Sequence, residues 1–128
     1  MTFDDAVLIL ADLIERMPKG YPRPRLIMHD SPEGMAEYVE GSLEAFMSGH
    51  QYHGRLVLAF ADHEKNRIHI QRGLLDEETA TVQWKLLHEM GHLRQAQRHG
   101  TKPGGPFFDE RKAEDFARRW SKKLDGES

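Results

Sequence analysis

The sequence predicts an α+β domain: a small three-stranded sheet carried by helices. Three observations predict it. Four segments show apolar residues at helical spacing, three and four apart. Three shorter segments, around residues 25–29, 55–61 and 67–71, are rich in Ile, Leu, Val and Phe and bounded by turn residues. The order helix, strand, helix, hairpin, helix, helix does not alternate regularly enough for a wound parallel sheet. At 128 residues the whole chain, 1–128, is expected to form one domain.

The first helix is expected over 3–17. Thr2 can cap it, Phe3, Val7, Leu10, Ala11, Ile14 and Met17 make an apolar stripe, and Pro18-Lys19-Gly20 stops it. Tyr21-Pro22-Arg23-Pro24 is a stiff, extended connector. Leu26, Ile27 and Met28 then mark a strand over 25–29. Ser31-Pro32 reads as a helix start, with Met35, Val39, Leu43, Phe46 and Met47 recurring behind it and a polar loop over 49–54. Segment 55–61 is apolar on both faces, which places it at the centre of the sheet. After a turn over 62–66, Ile68 and Ile70 alternate with Arg67, His69 and Gln71. That pattern predicts a strand with one buried and one wet face, hairpinned to its predecessor.

The next helix is expected over 77–99, capped by Asp76, with Leu75 stapled to Ala80 and with Gly100 and Pro103 beyond its end. Val82, Leu86, Met90 and Leu93 supply its apolar face. They leave His88-Glu89-Met90-Gly91-His92 with its histidines off that face. Residues four apart on a helix stand one above the other, so His88 and His92 can offer two imidazole nitrogens to one ion. Glu89, one step round, can reach water bound there. Gly91 is out of place, because glycine inside a helix costs about 1 kcal/mol against alanine. It implies that another backbone comes close.

The turn-rich stretch 100–106 lets a last helix fold back. Ala113, Phe116, Ala117, Trp120 and Leu124 make its buried stripe, which one turn earlier reaches Glu110. Glu110 is therefore the candidate third ligand. Glu114, four residues on, is the candidate acceptor of a histidine N–H, with the choice between the two carboxylates open. The expected cofactor is one Zn²⁺ per chain, held by His88, His92 and Glu110, with the fourth position open to water.

Residues 66–120 resemble the ImmA/IrrE-type zinc metallopeptidases of the gluzincin group. The likeness lies in a short strand (Asn66-Arg67-Ile68-His69-Ile70), a helix carrying His-Glu-Met-Gly-His, and then Glu110, Ala113, Phe116 and Ala117. The family pattern there is Glu-x-Glu-Ala-Asn/Asp-x-Phe-Ala. Lys112 replaces its second acid and Glu114 its Asn/Asp. The resemblance implies a minimal zincin-like fold and peptide-bond hydrolysis with Glu89 as general base. It implies Glu110 as ligand with Glu114 supporting it, a bacterial or phage origin, and a protein substrate such as a DNA-binding repressor. Tyr52, His53, His63 and His69, near strand ends, are candidate oxyanion donors; His29, His50 and His99 are given no role.

Composition narrows the alternatives. Without cysteine there is no disulfide, thiolate zinc site or thiol nucleophile. A net charge of −3 argues against general nucleic-acid affinity. The basic residues of 111–123 read as a solvated helix face. The start of the chain carries no secretory pattern and no run approaches a membrane span, so a cytoplasmic location is expected. The reading from another class is a non-catalytic protein–protein module that keeps a metal for stability.

Overall fold

The computed structural model describes residues 1–30, 58–63, 65–99 and 110–126. The predicted helix after Ser31, the loop 49–54, residues 55–57 and the connection 100–106 lie outside them. So do Tyr52, His53 and the side chain of His99.

Helix α1 spans Phe3–Arg16. Its start is a reciprocal cap: Asp5 N–H donates to Thr2 Oγ1 at 3.1 Å and Thr2 N–H to Asp5 Oδ2 at 2.9 Å. The core face is Ala6, Leu10, Leu13 and Met17. The predicted stripe is therefore rotated, because Val7 and Ala11 face outward. Two overlapping apolar stripes exist in this helix, and the one with small Ala6 is the one that packs.

Strands β1 (Arg25–His29), β2 (Ala59–Asp62) and β3 (Arg67–Gln71) form a mixed sheet in the order β1-β3-β2. β1 runs parallel to β3, with Arg25 opposite Arg67. β2 and β3 are the predicted hairpin, antiparallel with Asp62 opposite Arg67. Asn66 turns the corner at φ 53°, a left-handed conformation that asparagine tolerates better than most residues. Two expectations are corrected here. Among the described residues β3, not the more apolar β2, is central. The supposed wet face of β3 is also buried, with His69 at 0 % and Gln71 at 5 % exposure. Burial of His69 is eased on one side, where its Nδ1 lies 2.8 Å from His29 Nε2; its Nε2 faces Asp62 Oδ2 at 3.5 Å, too long for a full hydrogen bond.

The opposite face of the sheet carries Ile68, Ile70, Ala59 and Ala61 into the one core cluster with α1 and the later helices. A 3₁₀ turn over Arg72–Asp76 leads from the sheet and buries Leu74 and Leu75. Helix α2 then spans Thr79–His99. It starts two residues later than predicted. Asp76 belongs to the 3₁₀ turn, which Glu77 N–H closes on the Leu74 carbonyl at 3.1 Å. Ala80 is exposed, so it does not join Leu75 in the core. Val82, Leu86, Met90 and Leu93 are buried as predicted, with Leu87 beside them.

Helix α3 spans Glu110–Gly126 and buries Ala113, Phe116, Ala117, Trp120 and Leu124. It packs on α2 at Gly91. A Cβ there would lie 3.2 Å from Ala113 Cα, Ala113 O and Phe116 Cβ. The glycine thus permits the close helix crossing on which the site depends. Among the described residues no helix is long and apolar enough to cross a membrane.

Candidate metal centre

The close α2–α3 contact brings the first residue of α3 onto the histidine face of α2. Glu110 Oε2 lies 2.7 Å from His88 Nε2, and Glu110 Oε1 lies 2.9 Å from His92 Nε2. A carboxylate only accepts, so in the metal-free chain each imidazole donates its Nε2–H to one of its oxygens. The two rings stand edge to face, 5.0 Å between centroids and 71° apart. Ligand atoms of His88, His92 and Glu110 all lie within 4.8 Å of one another, and no other such triad occurs among the described residues.

The donor set fits a borderline divalent cation. Two neutral imidazole nitrogens and one carboxylate oxygen suit zinc, and bonds of about 2.0–2.1 Å on a tetrahedral ion hold ligand atoms about 3.3 Å apart. The observed 2.7 and 2.9 Å fall short of that by roughly half an ångström. A small withdrawal of one carboxylate, with each neutral ring carrying its proton on Nδ1 instead of Nε2, converts hydrogen bonds into ligation. Exposure follows the same logic. The histidine side chains are 16 % and 9 % exposed, whereas the Glu110 side chain is 44 % exposed, so the centre opens to solvent on its carboxylate side.

Two acids here are displaced in opposite senses. Burial pushes the Glu89 carboxyl up to about 7; the nearby His92 and His88 oppose this and Glu110 adds to it. Burial also acts upward on Glu110, but hydrogen bonds from His88 and His92, with their charges, outweigh it. They hold that carboxyl well below the usual carboxylate range. In the metal-free chain Glu110 is therefore the acid that stays ionised, and Glu89 the one that holds its proton more firmly.

Of the residues singled out in the sequence, His88, Glu89, His92 and Glu110 are brought together. Glu114 is not: it is exposed on α3 and outside the ligand triad. One turn beyond Glu110 the helix has already carried its side chain off the buried stripe, so no support for a histidine comes from there. His63 lines a cavity beside α2. His69 is buried in the His29–Asp62 cluster, so neither it nor His29 is a free surface residue. The signal for this cluster was available in strand parity. His29 and His69 fall on one face of the parallel pair, since His69 faces Ile27 and residues two apart share a face.

No protein-family model, no curated protein and no solved structure matches the chain, so what the site does must be argued from its own residues.

Proposed function

We propose that the protein is a zinc-dependent metallopeptidase acting in the cytoplasm. The observation that carries this is the convergence of His88 and His92 from α2 and Glu110 from α3 on one point, with buried Glu89 beside it. His88, His92 and Glu110 would hold the ion. Zinc at such a centre supplies Lewis acidity, bringing the pKa of water to about 7 and polarising a carbonyl. Glu89 takes the proton of the attacking water and returns it to the amine that leaves as the peptide bond breaks. The short α2–α3 crossing fixes Glu110 against the histidines, so the general base and the ligands keep their relative positions through the cycle. The resemblance over 66–120 favours a regulatory protein, such as a repressor, as substrate.

The reading from another class is a non-catalytic module with a stabilising ion. Structural zinc sites are closed by four protein ligands, and three are gathered here. A carboxyl buried beside the ligands also has no structural use. The test is zinc stoichiometry and peptide cleavage for the parent, Glu89→Gln and Glu110→Gln. The parent should bind one zinc and cleave. Glu89→Gln should keep the zinc and lose about 10²–10⁴-fold in rate, the usual contribution of a general base. Glu110→Gln should lose zinc. Unaltered cleavage by Glu89→Gln would remove the proposed base, and zinc binding without any cleavage by the parent would leave the module.

A further inference from the structure

Further along α2 than the metal centre the fold leaves an open cavity of about 460 Å³, lined by Tyr21, Pro22, Arg23, His63, Asn66, Leu93, Ala96 and Gln97, none of them a member of the His88–His92–Glu110 group. That volume lies within the range of about 300–1,000 Å³ typical of ligand sites. Its position follows from the helix. Glu89, Leu93, Ala96 and Gln97 recur at spacings of three and four, so the cavity continues the Glu89 face of α2. Ala96 stands one turn past His92, a rise of about 6 Å, and about 10 Å along the axis from Glu89.

Three separate segments make the walls, and hydrogen bonds tie them together. Gln97 Nε2 donates to the Gly20 carbonyl at 2.6 Å, joining α2 to the connector before β1. Asn66 Nδ2 donates to the Arg23 carbonyl at 3.3 Å, joining the β2–β3 turn to the same connector, and Arg25 N–H returns to the Asn66 carbonyl at 3.2 Å. The left-handed Asn66 turn therefore serves this wall. The Arg94 guanidinium lies 4.1 Å over the Tyr21 ring and donates to Gln97 Oε1 at 2.7 Å, bracing the third side. The walls are set before any ligand arrives, which lowers the entropy a ligand must lose on binding.

The chemistry of the lining is one-sided. Leu93, Ala96, Pro22 and Tyr21 give an apolar floor. Arg23 gives a permanent positive charge at the mouth, and among the described residues no acid lines the cavity. An apolar cleft with one cation at its edge selects a group with an aliphatic stem and an anionic tip.

We infer that this cavity is a carboxylate-binding subsite for the peptide substrate, with Arg23 as the counter-charge. The inference rests on the peptidase reading for its context. The carboxylate is either an Asp or Glu side chain or a free chain end.

The test reads binding and cleavage separately on the full zinc-loaded chain. Fluorescent peptides with Glu, Gln or Lys at each position from two to five residues from a central bond are made with amidated ends, and a Gln peptide is also made with a free C-terminus. Binding is followed by anisotropy for the parent, Arg23→Ala and Arg23→Glu. Arg23 is exposed, so both variants should melt like the parent. The parent should bind the Glu peptide at least about tenfold more tightly than Gln, the lower end for a charge-assisted bond. Arg23→Ala should abolish the difference and Arg23→Glu should turn it towards Lys. Tighter binding of the free-ended Gln peptide instead assigns the carboxylate to the chain terminus. Equal binding of all peptides, or an acid preference that survives Arg23→Glu, overturns the inference. Acid-selective binding without cleavage keeps this subsite and sinks the peptidase reading; cleavage without acid selectivity does the reverse.

Discussion

Gly91→Ala is the substitution whose outcome the structure fixes most tightly. In an isolated helix alanine for glycine stabilises by about 1 kcal/mol. Here the new methyl meets three atoms at 3.2 Å, two of them backbone atoms of Ala113. Ordinary carbon contacts lie at about 3.5–4.0 Å, so α3 must retreat by a few tenths of an ångström. Overpacking of this kind costs about 1–3 kcal/mol. Set against the propensity gain, the net loss is about 1 kcal/mol, or about 3–5 °C in Tm for a chain of this size. The retreat also draws Glu110 away from both histidines, so zinc affinity should fall more steeply than stability does, by tenfold or more. Urea unfolding with and without zinc measures both terms. A variant stabilised by the full propensity gain and still binding zinc like the parent would refute the view that backbone proximity at Gly91 sets the ligand geometry.

Two further predictions concern pH. In the metal-free protein the folded value for Glu89 is raised to about 7 from the ordinary 4.5. A raised carboxyl favours folding at low pH, and that contribution is lost as pH climbs from 4.5 through 7. Glu89→Gln should therefore stabilise the apo protein at pH 8 by about 2–3 kcal/mol, read from denaturant midpoints, and have no such effect at pH 4. For His69 the shift is downward, from 6.5 to about 4, caused first by burial, then by His29 and by Arg67, with Asp62 opposing. The unfolded chain takes up a proton that the folded one refuses, so stability should be lost as pH falls from 6.5 towards 4. The loss is about 2 kcal/mol once the solvent reach of Asp62 is allowed for. His69→Gln should flatten that part of the curve, and an unchanged slope would mean the imidazole is not held neutral.

Much of this was legible in the chain because local chemistry decided it. Thr2 with Asp5 marks a helix start by hydrogen bonds made within four residues. The bounds of β1 follow from flanking turn residues. The gathering of His88, Glu89, His92 and Glu110 follows from two periodicities, and Gly91 announced the crossing that joins them. What was missed depends on partners distant in sequence. The centrality of β3 is set by β1, whose Arg25 pairs with Arg67, and no pattern within β3 records that. His69 reads as solvent-facing until His29 and Asp62 are seen to receive it. The inward turn of α1 was ambiguous because Val7 and Ala11 are as apolar as Ala6 and Leu13, and only packing on the rest of the fold selects between the two stripes. Glu114 and Glu110 lie four apart in the sequence, but of the two only Glu110 meets the histidines of α2, while Glu114 is exposed.

The ligand trio holds no sulfur, and this decides which signals can reach it. Oxidants that convert thiolates to disulfides or sulfenic acids find no handle on two imidazoles and a carboxylate. Acid does find one. A protonated imidazole has no lone pair left for an ion, so acid competes directly with metal at both histidines. A metal held by these three groups would be indifferent to thiol oxidants and released by acid.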